Sequence, residues 1–163
     1  MDIKQISIRV EEFNSIKELD KADGKLLEQA ILASETSYSP YSTFQVGAAV
    51  LMSNGMVIRG NNQENAAYPS GLCAERVALF FAQAQYPDIA IDSIAIFAMS
   101  KDFKLDKPVT PCGSCRQVMA EYENRHGRKL RVIMANGDGL VQIVEGMENL
   151  LPLMFMLEKL KKI

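Results

Sequence analysis

A chain of 163 residues, 48% hydrophobic and 23% charged, suits one domain with a substantial core and leaves no length for a second. Eighteen basic against twenty acidic residues, net −2, exclude the broad basic footprint that counterion-releasing binding to a polynucleotide requires. Met1-Asp2-Ile3-Lys4 lacks the basic-then-apolar order of a secretory leader, no apolar run is long enough to cross a bilayer, and three cysteines are an odd number for a disulfide framework, so a reducing cytoplasm and a small neutral substrate are expected.

Residues 1–20 carry the least information. Ile6, Ile8 and Val10 alternate as a short strand would, ahead of a charged stretch, and no role follows from them. From Ala22 to about Glu35, Ala22, Leu26, Leu27, Ala30, Ile31 and Ala33 recur at helical spacing, and Tyr38-Ser39-Pro40 ends the run. The period then becomes that of strands over Phe44–Met52 and Met56–Arg59, and the Ser53-Asn54-Gly55 between them predicts an antiparallel hairpin.

Gly60 to Gly71 reads as a polar loop, and Cys73 to about Ala84 as an alanine-rich buried helix stopped near Tyr86-Pro87. Ile91–Met99 is almost continuously apolar, the pattern of a central strand covered on both faces. Lys101–Pro111 is a loop, Cys112 to about Asn124 a second helix, and Leu130–Ala135 a further strand. Asn136-Gly137-Asp138-Gly139 leaves no room for a parallel crossover before the strand Leu140–Val144, so that last pair is antiparallel. Glu148–Lys161 is expected to close the chain as a helix, with Pro152 tolerated only near its first turn. These elements predict a mixed sheet of about five strands with helices on its faces, without internal repeat or low-complexity segment.

The chemistry concentrates at the two inner helix starts, Cys73-Ala74-Glu75-Arg76 and Pro111-Cys112-Gly113-Ser114-Cys115. Cys112 and Cys115, two residues apart, can grip one ion from a single turn, and Cys73 supplies a third soft ligand. Three ligands leave tetrahedral zinc one open position, and Glu75 lies close enough in sequence to handle protons there without ligating. Both helix dipoles favour thiolates at their N-termini. A structural zinc site takes a fourth protein ligand. The single histidine, His126, sits in Asn124-Arg125-His126-Gly127, which reads as a polar turn, and no fourth cysteine exists. Redox use of the Cys112/Cys115 pair leaves Cys73 and Glu75 without a role, and inert buried cysteines do not account for the spacing. Hydrolytic zinc chemistry is the leading reading, and the two segments together resemble the signature of the zinc deaminases.

Over most of its length the chain resembles the cytidine deaminase family, in its homotetrameric three-cysteine form. The resemblance runs through Ser39-Pro40-Tyr41-Ser42, Phe44-Gln45-Val46-Gly47-Ala48-Ala49, Asn62-Gln63-Glu64-Asn65, Tyr68-Pro69, Cys73-Ala74-Glu75-Arg76 and Pro111 to Gln117, and ends at Leu150-Leu151-Pro152 with Phe155. It implies a three-layer α/β/α sandwich with an antiparallel final hairpin, formed by one catalytic domain over residues 21–163 behind an extension of 1–20. It further implies one Zn²⁺ per subunit on Cys73, Cys112 and Cys115, and Glu75 as the group that takes a proton from water and passes it to ring N3 before ammonia leaves C4. Three thiolates leave the zinc site at net −1, and Arg76, matching an arginine that hydrogen-bonds the cysteine sulfurs, offsets that charge. Asn62 and Glu64 match the pair that holds ribose hydroxyls, Phe44 the aromatic packed on the pyrimidine, Phe155 the one contributed by a neighbouring subunit, and backbone groups at Ala74 and Thr110 read the base edge. On sequence alone Asn62 and Glu64 are ordinary loop residues, Phe44 and Phe155 ordinary core, and Arg76 a surface cation. Asn61 and Gln63 are more polar than is usual in the family, and residues 1–20 have no counterpart.

The implied activity is zinc-dependent deamination of cytidine and 2′-deoxycytidine to the uridines in pyrimidine salvage, in the cytoplasm. A blasticidin-type or other nucleoside-analogue deaminase on the same fold is the nearest competitor. A non-catalytic zinc-binding assembly module would leave Glu75 unused, and editing of a polynucleotide fits neither the absence of Trp nor the negative charge. Leu150, Leu151, Leu153, Met154, Phe155, Met156 and Leu157 are more apolar than one buried helix stripe needs, which agrees with an intersubunit role and a homotetramer.

Overall fold

The computed structural model describes residues 1–156. Asp20 starts α1 (Lys21–Ser34), its carboxylate accepting from the N–H groups of Ala22 and Asp23 at 2.9 Å each. β2 (Phe44–Met52) and β3 (Val57–Asn61) form the antiparallel hairpin expected around Asn54-Gly55, with Gly55 at φ +86. α2 (Ala74–Gln85) follows, then β4 (Ile91–Ser100), antiparallel to β2 in the register Ala48↔Ile96. α3 (Gly113–His126) carries the chain across to β5 (Arg131–Asn136), which lies parallel to β4. β6 (Val141–Glu145) returns antiparallel to β5.

A further strand, β1 (Glu11–Phe13), pairs antiparallel with β6, giving one mixed six-stranded sheet in the order β1-β6-β5-β4-β2-β3. The sheet is covered on both faces. Side-chain alternation along each strand sends Ala48, Val50, Ile94, Ile96, Val132 and Met134 into the core shared with α2 and α3. Ala49, Ala95, Phe97, Ile133 and Ile143 point to the opposite core, shared with Leu26, Leu27 and Ala30 of α1. Asp23 on α1, only 7% exposed, takes a forked ion pair from Arg131 of β5 at 2.8 and 3.0 Å, locking that outer helix to the sheet.

Two glycines set how closely helices approach. A Cβ at Gly47 would lie 2.0 Å from the Ala30 carbonyl oxygen, and one at Gly60 2.5 Å from the Ala78 nitrogen and 2.8 Å from the Ala74 carbonyl oxygen. The second contact fixes the height of α2 above β3, and with it the position of the Cys73-Ala74-Glu75 turn.

Three expectations are corrected. The chain does not close with a helix from Glu148: Met147–Asn149 is one 3-10 turn, residues 150–156 are not helical, and 157–161 lie outside the described residues. Pro152 explains the interruption, since it lacks a backbone donor and disfavours helical geometry at Leu151. The alternation at Ile6, Ile8 and Val10 forms no strand, because these side chains have no core face to enter and stay 48%, 55% and 38% exposed. The strand lies instead at Glu11–Phe13, where β6 offers an edge, which raises the sheet from five strands to six. Finally, His126 is not in a turn but ends α3, with Gly127 at φ +62 as the cap, and one of its ring nitrogens lies 3.0 Å from Gln83 Oε1.

Candidate active site

Both chemistry-bearing helices begin where the sequence placed them. Cys73 is the N-cap residue of α2 and Cys112 that of α3, and Cys115 lies within the first turn of α3. Their sulfurs converge, all within 4.8 Å of one another, with the Cys112 and Cys115 Sγ atoms 3.5 Å apart. Thiolates at ~2.3 Å from a tetrahedral zinc stand about 3.8 Å from each other, so this triangle fits that ion in size as well as in donor chemistry. His126 is engaged with Gln83 and is not in this cluster, so among the described residues the ligands number three, one fewer than a tetrahedral ion takes.

Among the three, Cys73 carries the negative charge. The Cys73 thiol is pulled down to about 5 by hydrogen bonds from Cys115 and Arg76 and by the Arg76 charge, and the same sharing pushes Cys115 up. The Arg76 Nη2 stands 3.6 Å from the Cys73 sulfur. Glu75, in the first turn of α2, is 6% exposed, and burial, reinforced by the negative charge on Cys73, holds its carboxyl above the usual carboxylate range.

A cavity of about 600 Å³ opens over this cluster. Its lining brings together Phe44, Asn62, Glu64, Cys73, Ala74, Glu75, Arg76, Thr110 and Cys112, drawn from β2, the loop after β3, α2 and the loop before α3. Cys115 is buried behind them in the sulfur triangle. Phe155 is not brought to this cavity: it is 65% exposed, and its carbonyl oxygen accepts from Gln117 Nε2 at 2.9 Å.

The polar wall is held rigidly. The Asn62 side chain accepts from the Val46 N–H at 2.8 Å and donates to the Phe44 carbonyl at 2.9 Å, so it pins β2 as well as facing the cavity. The Glu64 carboxylate accepts from the Ser42 hydroxyl and from the N–H groups of Tyr41 and Ser42 at 2.8 and 3.3 Å. These bonds, the hydroxyl's above all, hold its pKa below the usual carboxylate value, and Glu64 stays ionised. The Phe44 ring stacks on Phe103, centroids 6.2 Å apart and planes 10° apart.

Ser42, Phe103 and Arg116 carry structural work that the sequence did not announce. Arg116 donates to the Pro111 carbonyl at 2.7 Å, the Leu150 carbonyl at 2.7 Å and Thr110 Oγ1 at 2.9 Å, tying the rim before Cys112 to the carboxy-terminal segment. Ser42 and Arg116 stand inside segments that carry the resemblance. Phe103 sits in the Lys101–Pro111 loop and gave no signal at all.

A family model described as the cytidine and deoxycytidylate deaminase zinc-binding region matches residues 20–127, which contain all three sulfurs, Glu75 and most of the cavity wall. The chain belongs to that family. It is 56% identical over 96 residues to a cytidine deaminase of Halalkalibacterium halodurans, covering 59% of this chain and 68% of the relative. It is 43% identical over 100 residues to one of Sporosarcina psychrophila, covering 61% and 69%. Among solved structures, cytidine deaminase from Burkholderia pseudomallei superposes with a TM-score of 0.69 at 40% identity, over 80% of this chain and 97% of that one. The Mycobacterium tuberculosis enzyme gives 0.63 at 28% identity, over 85% and 99%. The α/β/α deaminase sandwich and a zinc-binding site on Cys73, Cys112 and Cys115 are thus properties of this chain.

Proposed function

We propose that the protein hydrolyses cytidine and 2′-deoxycytidine to uridine and 2′-deoxyuridine with release of ammonia, serving pyrimidine salvage in the cytoplasm. The observation that carries the chemistry is the buried Glu75 carboxyl beside an open-sided three-sulfur zinc site on the floor of a nucleoside-sized cavity. Zinc held there supplies a Lewis acid that makes water a nucleophile near neutral pH.

Glu75 takes one proton from the attacking water and delivers it to ring N3, while the water oxygen adds to C4. It then carries the second proton to the departing amino group, so that one water is consumed and one ammonia released. The Glu75 side chain is buried, so this shuttle runs out of contact with bulk water. Arg76 offsets the negative charge of the thiolates from its place 3.6 Å from Cys73. Phe44, fixed by Phe103, packs on the pyrimidine, and backbone groups at Ala74 and Thr110 read its edge. Asn62 and Glu64 receive the sugar hydroxyls. An ionised Glu64 in that wall repels a 5′-phosphate, which supports a free nucleoside over a nucleotide.

The exposure of Phe155, together with Leu153 at 86%, supports its serving a neighbouring copy in a homotetramer. Residues 21–163 are read as the catalytic domain, and 1–20 as an extension whose strand β1 covers the β6 edge. The experiment is zinc analysis with ammonia release from cytidine for the wild type and Glu75→Gln. The variant is expected to keep fold and zinc and to lose at least about a hundredfold in turnover, the scale of a missing general acid/base. A zinc-loaded wild type inert on both nucleosides, or a Glu75→Gln variant of near-normal rate, refutes the reading.

A further inference from the structure

Among the described residues, Thr43 is the one non-glycine residue with positive φ, at 57. A β-branched side chain is a poor occupant of the left-handed region, because its Cβ crowds the following carbonyl. Such a conformation persists only where its surroundings hold it. Here the hold is visible. The Thr43 N–H donates to the Ser39 carbonyl at 3.1 Å. Its single hydroxyl proton is shared between Asp102 Oδ2 at 2.7 Å and the Ser42 carbonyl at 2.6 Å.

On either side of this bend stand groups of the cavity wall. Before it, Ser42 gives its hydroxyl and its N–H to Glu64, and Tyr41 adds a third donor. Ser42 Oγ also accepts from the Phe44 N–H at 3.1 Å, so the serine spans the bend. After it, Phe44 stacks on Phe103, the residue next to Asp102. The Asp102-Phe103 pair therefore grips the turn twice, once by charge and once by an aromatic face, and neither residue lines the cavity.

We propose that Thr43 is a positioning residue: its left-handed bend, anchored by Asp102, fixes the orientation of the Glu64 carboxylate and so sets how strongly the protein demands hydroxyls on the sugar of its nucleoside. This rests on the nucleoside reading above. A carboxylate already held by three donors from one turn loses little rotamer freedom when it accepts a sugar hydroxyl, whereas a loosened one must be ordered at binding. The bend strains Thr43 and in return presents a preset acceptor.

The test compares the KM of cytidine with the dissociation constant of 2′,3′-dideoxycytidine, which offers no sugar hydroxyl to Glu64. Four variants are measured: Thr43→Val keeps the shape and removes the hydroxyl, Thr43→Ser restores it, Thr43→Gly removes both hydroxyl and strain, and Asp102→Ala removes the anchor. In Thr43→Val, Thr43→Gly and Asp102→Ala, cytidine is expected to lose at least about fivefold in KM, with kcat, zinc content and the dideoxycytidine constant within about twofold of wild type. Thr43→Ser is expected to stay near wild type, and Thr43→Gly to melt no lower than Thr43→Val. Equal weakening of both nucleosides, or an unchanged preference in Thr43→Val and Thr43→Gly together, overturns the proposal. A zinc-loaded wild type that does not turn over cytidine at all instead overturns the nucleoside reading on which it rests.

Discussion

Gly60→Ala tests how the fold places the catalytic turn. The added methyl would sit 2.5 Å from the Ala78 nitrogen and 2.8 Å from the Ala74 carbonyl oxygen, both backbone atoms of α2 that cannot rotate away. Ordinary contact begins near 3.5 Å, so the helix must retreat from β3 by on the order of 1 Å. Overpacking of this kind costs about 1–3 kcal/mol, against about 0.4–1 kcal/mol recovered from a stiffer unfolded chain. The net loss is thus up to about 2.6 kcal/mol, and at about 2–4 °C per kcal/mol for a domain of this size Tm is expected to fall by up to ~10 °C. The larger effect falls on turnover, because Glu75 and Cys73 ride on the displaced turn while Cys112 and Cys115 stay with α3, and a 1 Å misplacement of a reacting group costs about a hundredfold.

Gly47→Ala is the paired control. Its methyl would collide with Ala30 of α1, on the face of the sheet that carries no cavity residue, so it is expected to lower Tm at least as far while leaving turnover of the folded fraction within a few-fold. Calorimetry, zinc content and ammonia release from cytidine, measured below each variant's transition, read both effects. A Gly60→Ala protein with wild-type Tm and turnover, or a folded, zinc-loaded Gly47→Ala protein as inactive as Gly60→Ala, would refute the reasoning.

Cys112→Ala or Cys115→Ala is expected to abolish stoichiometric zinc, checked by metal analysis of the purified protein; full retention in either would mean the ligands are misassigned. Phe155→Ala is expected to weaken cytidine binding several-fold with zinc intact in a protein that sediments as a tetramer, and a fully active monomer in analytical ultracentrifugation would exclude the intersubunit role. Asp23→Asn leaves the half-buried Arg131 guanidinium without its main counter-charge, and is expected to cost about 1–3 kcal/mol in chemical denaturation with kcat unchanged, because the pair lies on the α1 side of the sheet.

Much of the site was readable because its chemistry is local. Two cysteines on one helical turn, and a carboxylate two residues beyond a third, declare their geometry in their spacing, since a helix N-terminus orients all of them in the same way whatever the rest of the chain does. The strands were readable for a like reason: the β-like run Phe44–Met52 and the Asn54-Gly55 turn are properties of a few consecutive residues. The closing hairpin followed from loop length alone, four residues being too few for a crossover.

What only the tertiary structure decided involves partners far apart in the chain. Apolar alternation at Ile6–Val10 promised a strand, but a strand needs an edge, and β6 offered one only at Glu11–Phe13. The apolar run from Leu150 promised a helix, but Pro152 and the bonds from Arg116 and Gln117 draw that segment into turns. The grip of Asp102 and Phe103 on the Thr43 bend joins residues whose neighbours in sequence say nothing of one another, because a hydrogen bond or a stacked ring across the fold leaves no period in the chain. Residue types and short spacings therefore determined which chemistry this protein carries, and the packing of α2 against Gly60 and of the loop before α3 against β2 decided where that chemistry is aimed.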